Sequence, residues 1–280
     1  MIFNRLLSSL PSTILTKQIA ISLNFKRFNS SSMPGQKIAV NGLQIHYERI
    51  GNGNHTVLLL PGAFGSTRLD FTKQLTDTKW LDKFTLIAWD PPGYGYSRPP
   101  EKNFNDFFRT DAKIAAQLMQ TLAIDKYSLL GWSDGGTTAM ILAANQPLSV
   151  QKLVIWGSKA YVNDKDRQMY DKLKDADNWN PKIRKTFSDY YTEKLFLNYV
   201  TLYNKSIVSY SDFCTNDIKQ IRQPTLILHG DRDPVMGIEH PFYLINNIID
   251  SKLYRFSNGS HNIHKEFNDE FREIVIKFLL

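Results

Sequence analysis

Ser133 stands at the centre of Gly131-Trp132-Ser133-Asp134-Gly135, a G-x-S-x-G pattern. A largely apolar run, Tyr127 to Leu130, precedes it, and a stretch of good helical composition, Thr137 to Asn145, follows. A serine on a sharp strand-to-helix turn projects its hydroxyl away from the backbone, and Gly131 and Gly135 lack the Cβ atoms that would collide there. The helix N-terminus behind it offers free N–H groups and a partial positive charge to an oxyanion formed at Ser133. A tight turn with a solvated serine is the plainer reading, and the two flanks count against it.

A serine hydroxyl is a weak nucleophile at neutral pH and needs a base, itself oriented by an acid. On a strand-turn-helix corner of this kind the chain order should be serine, acid, histidine, each partner on a loop after a late strand. His261 lies immediately after the Gly259-Ser260 turn, whereas His264 begins the next helical stretch, so His261 is the candidate base. His46, His55 and His240 are given no role, a lone histidine being more often structural. Asp231 and Asp233 both follow the strand-like Thr225 to His229; Asp233 is preferred because Pro234 stiffens the turn after it.

Backbone N–H groups of Asp134 and of Ala63, in the loop Pro61-Gly62-Ala63-Phe64, are the candidate oxyanion hole. A carboxylate on Asp134 should oppose the growing negative charge unless the substrate brings a cation beside it. An α-ammonium group would do so, and a charge-assisted hydrogen bond of that kind is worth ~1.5 to 3 kcal/mol. The competing role for Asp134 is to complement its helix dipole, worth ~0.3 to 1 kcal/mol.

These residues need rigid elements to carry them. Lys37 to Val40 and Leu43 to Arg49 read as strands joined by the hairpin signal Asn41-Gly42. Thr56 to Leu60, Phe84 to Trp89, the run into Ser133, Lys152 to Trp156, Thr225 to His229 and Ser251 to Phe256 read as further strands. Helices are expected over Phe107 to Ala123, Glu239 to Ile249 and Glu266 to Leu280. The alternation predicts an α/β fold: a mostly parallel eight-stranded sheet with helices on both faces. Residues 159–222 break the rhythm with many aromatics and no buried strand, and are read as a helical cap insertion over the strand ends. The core is then 37–158 with 223–280.

The chain has 280 residues, 42% of them hydrophobic, enough for one large domain. Its formal charge is +7, but Arg5, Lys17, Lys26, Arg27 and Lys37 precede the first acid, Glu48. Without those five, 29 basic residues face 27 acidic ones, so the body carries no nucleic-acid footprint. Residues 1–32, basic, rich in serine and leucine and free of acids, read as a mitochondrial transit peptide with no membrane span. The single cysteine, Cys214, excludes an internal disulfide, and no ligand set for a metal is apparent.

Leu60-Pro61-Gly62, Trp89-Asp90-Pro91, Gly93-Tyr94-Gly95, Ser97-Arg98-Pro99-Pro100, the serine motif, His229-Gly230 with Asp233-Pro234, and His261-Asn262 together resemble the α/β-hydrolases. Within them, the chain is similar to the valacyclovir hydrolase (biphenyl hydrolase-like) family from about Ile38 to the C-terminus. The resemblance implies a mitochondrial serine hydrolase acting on α-amino acid esters, with Ser133, Asp233 and His261 as triad and Asp134 on the substrate ammonium. A small-molecule ester is the expected partner and a monomer the expected state, and chemistry on this triad needs no metal or organic cofactor. Pro92 departs from the pattern, standing where an arginine is more usual. Rival readings are a carbon-carbon bond hydrolase or an aminopeptidase on the same triad, and a ligand-binding protein that turns over negligibly.

Overall fold

A computed structural model describes residues 35–280, apart from 177, 178 and 180. The targeting segment expected over residues 1–32 lies outside the described residues. Eight strands form one sheet: β1 (Gln36–Val40), β2 (Leu43–Ile50), β3 (His55–Leu60), β4 (Phe84–Trp89), β5 (Tyr127–Trp132), β6 (Val150–Trp156), β7 (Thr225–Gly230) and β8 (Ser251–Phe256). Their order is β1-β2-β4-β3-β5-β6-β7-β8. β2 runs antiparallel to both β1 and β4, and the other pairings are parallel. Asn41-Gly42 makes the first turn, and Val40 pairs with Leu43 across it.

The helices are α1 (Thr67–Phe71), α2 (Thr78–Leu81), α3 (Phe107–Thr121), α4 (Asp134–Asn145), α5 (Asp164–Leu173), α6 (Pro181–Phe187), α7 (Glu193–Ser209), α8 (Thr215–Ile218), α9 (Glu239–Asn247), α10 (Ile263–Glu266) and α11 (Asn268–Leu279). Side chains alternate across each strand, so Leu58 and Leu60 of β3 enter one apolar cluster and Val57 and Leu59 the other. The first cluster holds Ile114 of α3 and Met140 of α4; the second holds Phe71 of α1, Trp80 of α2 and Phe271 of α11. Both faces of the central strands are therefore covered, which is why they read as unbroken apolar runs. Each fully buried Leu or Ile contributes ~1.5 to 3 kcal/mol.

Two helix boundaries differ from the sequence expectation. α4 begins at Asp134 rather than Thr137. Its glycines are poor helix formers kept for close packing: a Cβ on Gly135 would lie 2.1 Å from the carbonyl oxygen of Leu60. The C-terminal helix is interrupted at Phe267, whose backbone (φ −112°, ψ 43°) separates α10 from α11 while its ring packs 5.5 Å from that of Phe256. Among the described residues no helix is long and apolar enough to cross a membrane.

The parallel arrangement brings the loops after β3, β5, β6, β7 and β8 to one edge of the sheet, where open α/β sheets hold their ligands. Helices α5 to α7, between β6 and β7, lie over that edge and line the cavity there, and the segment is latched to the loops below it. The Tyr191 hydroxyl donates to the Phe64 carbonyl at 2.9 Å and accepts from the Gly95 N–H at 3.1 Å. Tyr199 likewise donates to the Gly93 carbonyl and accepts from the Lys102 N–H, both at 2.9 Å.

Candidate active site

Ser133 links β5 to α4 with φ 55° and ψ −122°, a backbone conformation unfavourable for any residue with a Cβ. Two bonds fix it there. Its N–H donates to the Trp156 carbonyl at 2.9 Å, and its own carbonyl accepts from the Ser158 hydroxyl at 3.0 Å. The turn thus leans on the end of β6.

Nε2 of His261 lies 3.1 Å from the Ser133 Oγ, and Nδ1 lies 2.7 Å from Oδ2 of Asp233. The other carboxylate oxygen of Asp233 accepts from the N–H groups of Val235 and Met236 at 2.8 and 2.9 Å. Burial works to raise this carboxyl, but its bond to His261, the imidazole charge and the two N–H groups outweigh it and hold Asp233 below its ordinary value. An ionised Asp233 favours the tautomer with the proton on Nδ1, leaving Nε2 free to accept from the serine.

The competing candidates point elsewhere. Asp231 accepts from Arg255 Nε at 2.7 Å, and His264 is buried with Nδ1 accepting from Trp156 at 3.0 Å. Burial keeps the His264 ring well below the ordinary histidine value, so it stays neutral.

Ala63 and Ser133 border a common cavity of about 840 Å³, with Phe64, Trp179, Phe187 and Tyr203 among its walls. The loop carrying Ala63 is braced by the Gly62 N–H, which donates to Asp70 at 3.0 Å. Asp134 is nearly buried. Its Oδ1 accepts from the Tyr203 hydroxyl at 3.0 Å, while Oδ2 has no hydrogen-bond partner among the described residues. Burial, opposed by Tyr203 and by the charge of Lys159, pushes the Asp134 carboxyl up to about 6. The same residue borders a cell of about 10 Å³ beneath Pro61 and Gly62, shared with Tyr94 and Asp111, with room for about one water.

Two contributors escaped the sequence reading. Gly157 has φ +57°, and a Cβ there would lie 2.8 Å from Cε1 of His261, so the imidazole occupies space that glycine leaves. Its position directly after a buried strand at the ligand edge was a usable signal. Tyr203 was one of many aromatics, though Phe196, Tyr199 and Tyr203 do mark one helix face at spacings of three and four.

A family model described as alpha/beta hydrolase fold matches residues 55–267. The serine hydrolase BPHL of Mus musculus is 40% identical over 280 residues, covering 98% of this chain and 94% of the mouse protein. The human serine hydrolase BPHL is 41% identical over 257 residues, covering 89% and 87%. The meta-cleavage product hydrolase CumD from Pseudomonas fluorescens IP01 superposes with a TM-score of 0.72 at 20% identity, covering 88% of this chain and 97% of that one, and so shares the fold. With a matching family model over most of its length and two-fifths identity to the mammalian proteins, the chain belongs to the α/β-hydrolase family, among the biphenyl hydrolase-like serine hydrolases.

Proposed function

We propose that this serine hydrolase is an esterase of α-amino acid esters. Ser133 attacks the ester carbonyl while His261 Nε2 takes its proton, and Asp233 stabilises the resulting imidazolium. The N–H groups of Ala63 and Asp134 hold the tetrahedral oxyanion. Collapse expels the alcohol, protonated by His261, and leaves an acyl-enzyme on Ser133. Water, deprotonated by the same imidazole, then releases the amino acid and restores the serine.

The observation that carries the substrate assignment is the buried carboxylate of Asp134, adjacent in sequence to the nucleophile and with one oxygen unpartnered. A buried acceptor left unpaired costs ~1 to 3 kcal/mol, a cost that an arriving ammonium group removes. A neutral acyl ester cannot do so.

The test compares kcat/KM for an aminoacyl ester and its des-amino analogue in the parent and in Asp134→Asn. A loss of roughly ten- to a hundredfold falling on the aminoacyl ester is expected. Equal losses on both substrates refute the assignment. An aminoacyl amide and a vinylogous diketone assayed alongside separate the rivals: faster turnover of either than of the ester moves the reading to an aminopeptidase or a carbon-carbon bond hydrolase.

A further inference from the structure

Two buried lysines stand near Asp134, and they are differently committed. Lys102 places Nζ 2.7 and 2.6 Å from the two oxygens of Asp111, an acid whose own charge also acts on Asp134. That pair is close to neutral from where Asp134 stands. Lys159 is otherwise arranged. Its Nζ lies 3.0 Å from Oδ1 of Asp166, but Asp166 also takes His240 Nε2 at 3.1 Å and the Asn163 N–H at 2.9 Å, so its charge is shared.

On its other side, Lys159 lies over the Tyr170 ring, 4.5 Å from the centroid. The Tyr170 ring meets that of Tyr203 edge-on, with centroids 6.0 Å apart, and the Tyr203 hydroxyl donates to Asp134 at 3.0 Å. Lysine, two tyrosines and carboxylate thus form a continuous series, each member at least nine-tenths buried, where charge acts with little screening. The series is rooted in the nucleophile's turn. The Thr137 hydroxyl of α4 donates to the Lys159 carbonyl at 2.8 Å, one residue from the Ser158 contact already described.

We propose that Lys159 is a positioning residue for recognition of the substrate ammonium: acting through Tyr170 and Tyr203, it keeps Asp134 ionised from the side of Oδ1, while Asp166 and His240 restrain it from pairing with Asp134. This rests on the reading of Asp134 as the ammonium's partner. Without the lysine, Asp134 takes up its proton at higher pH, and a neutral carboxyl loses the charge-assisted part of the bond.

The other groups facing Asp134 do not substitute for it. Tyr203 from α7, Tyr170 from α5 and Tyr94 from the loop after β4 are all raised by burial and stay neutral, and Lys102 is bound to Asp111 of α3.

The experiment uses the full chain with Lys159→Met, which keeps the side-chain length and leaves Asp166 its bonds to His240 and Asn163. Tyr170→Leu, which removes the ring between Lys159 and Tyr203 but retains the lysine, is the second variant. The protonation midpoint of Asp134 is read from its carboxyl carbon by NMR, assigned with Asp134→Asn. We expect an upward shift of roughly half to one pH unit in Lys159→Met and a smaller one in Tyr170→Leu. Lys159→Arg, which preserves the charge, should stay near the parent.

The ratio of kcat/KM for an aminoacyl ester to that for its des-amino analogue should lose its acid limb at correspondingly higher pH. An unmoved midpoint in the variants that fold overturns the proposal. A midpoint that moves while the ratio does not follow overturns the use of Asp134 by substrate, not the hold of Lys159 on it.

Discussion

Oγ of Ser133 and Nε2 of His261 lie 3.1 Å apart although 128 positions separate them in the chain. Ser133→Ala and His261→Ala should each lower kcat/KM by roughly ten-thousand-fold while leaving the melting temperature within a few degrees. The double variant should be little worse than either single one, because the two groups act as a unit. Steady-state kinetics beside thermal melts check this.

Asp233→Asn should cost activity by roughly the same factor at neutral pH, since an amide cannot hold the imidazole in the required tautomer. It should also remove a pH-dependent contribution to stability. The native carboxyl titrates below its unfolded value, so over that interval the unfolded chain binds more protons and stability rises with pH. That contribution is present above the unfolded value and fades as pH falls through the native one. Denaturant melts of parent and variant from pH 2.5 to 7 should converge at the acid end.

For Asp134 the sign reverses. Its carboxyl is raised from 3.8 to about 6, so between those values the native state binds more protons than the unfolded one. Stability of the parent should therefore fall as pH rises through that window. Asp134→Asn, which still accepts from Tyr203, should be more stable than the parent by about 2 to 3 kcal/mol above pH 6 and equal to it below pH 4. Urea melts at pH 4 and 7 give the comparison, and they would show a selectivity group held at a cost to the fold.

Gly157→Ala should push the imidazole off its line to Ser133, because the added carbon meets Cε1 of His261 in a backbone conformation that already disfavours it. A drop in kcat of roughly a hundredfold with little change in KM is expected, as a displacement of the base by about an ångström touches the chemistry and not the pocket. Burst kinetics with an activated ester check whether acylation is the step that slows.

What could be read in advance followed short-range rules. Gly131 and Gly135 flank Ser133 in the immediate sequence, the strands are apolar runs of the right length, and the order serine, acid, histidine follows from the fold. Asp231 and Asp233 could not be separated by spacing alone; in three dimensions the partner of each decides, Arg255 for one and His261 for the other. Gly157 could have been marked by its place directly after a buried strand, but Tyr203 and Lys159 were illegible as site residues for another reason. Each owes its place to packing between segments distant in the chain, and aromatics as frequent as those of residues 159–222 give no local hint of which will face a carboxylate.

Tyr191 and Tyr199 tie the α5 to α7 segment to the turns carrying Phe64 and Gly93. The module that shapes the pocket is thereby also a splint for the catalytic floor. Exchanging it for a roomier one would loosen the neighbourhood of the oxyanion at the same stroke, so breadth of substrate range and speed of turnover cannot be engineered here as separate dials.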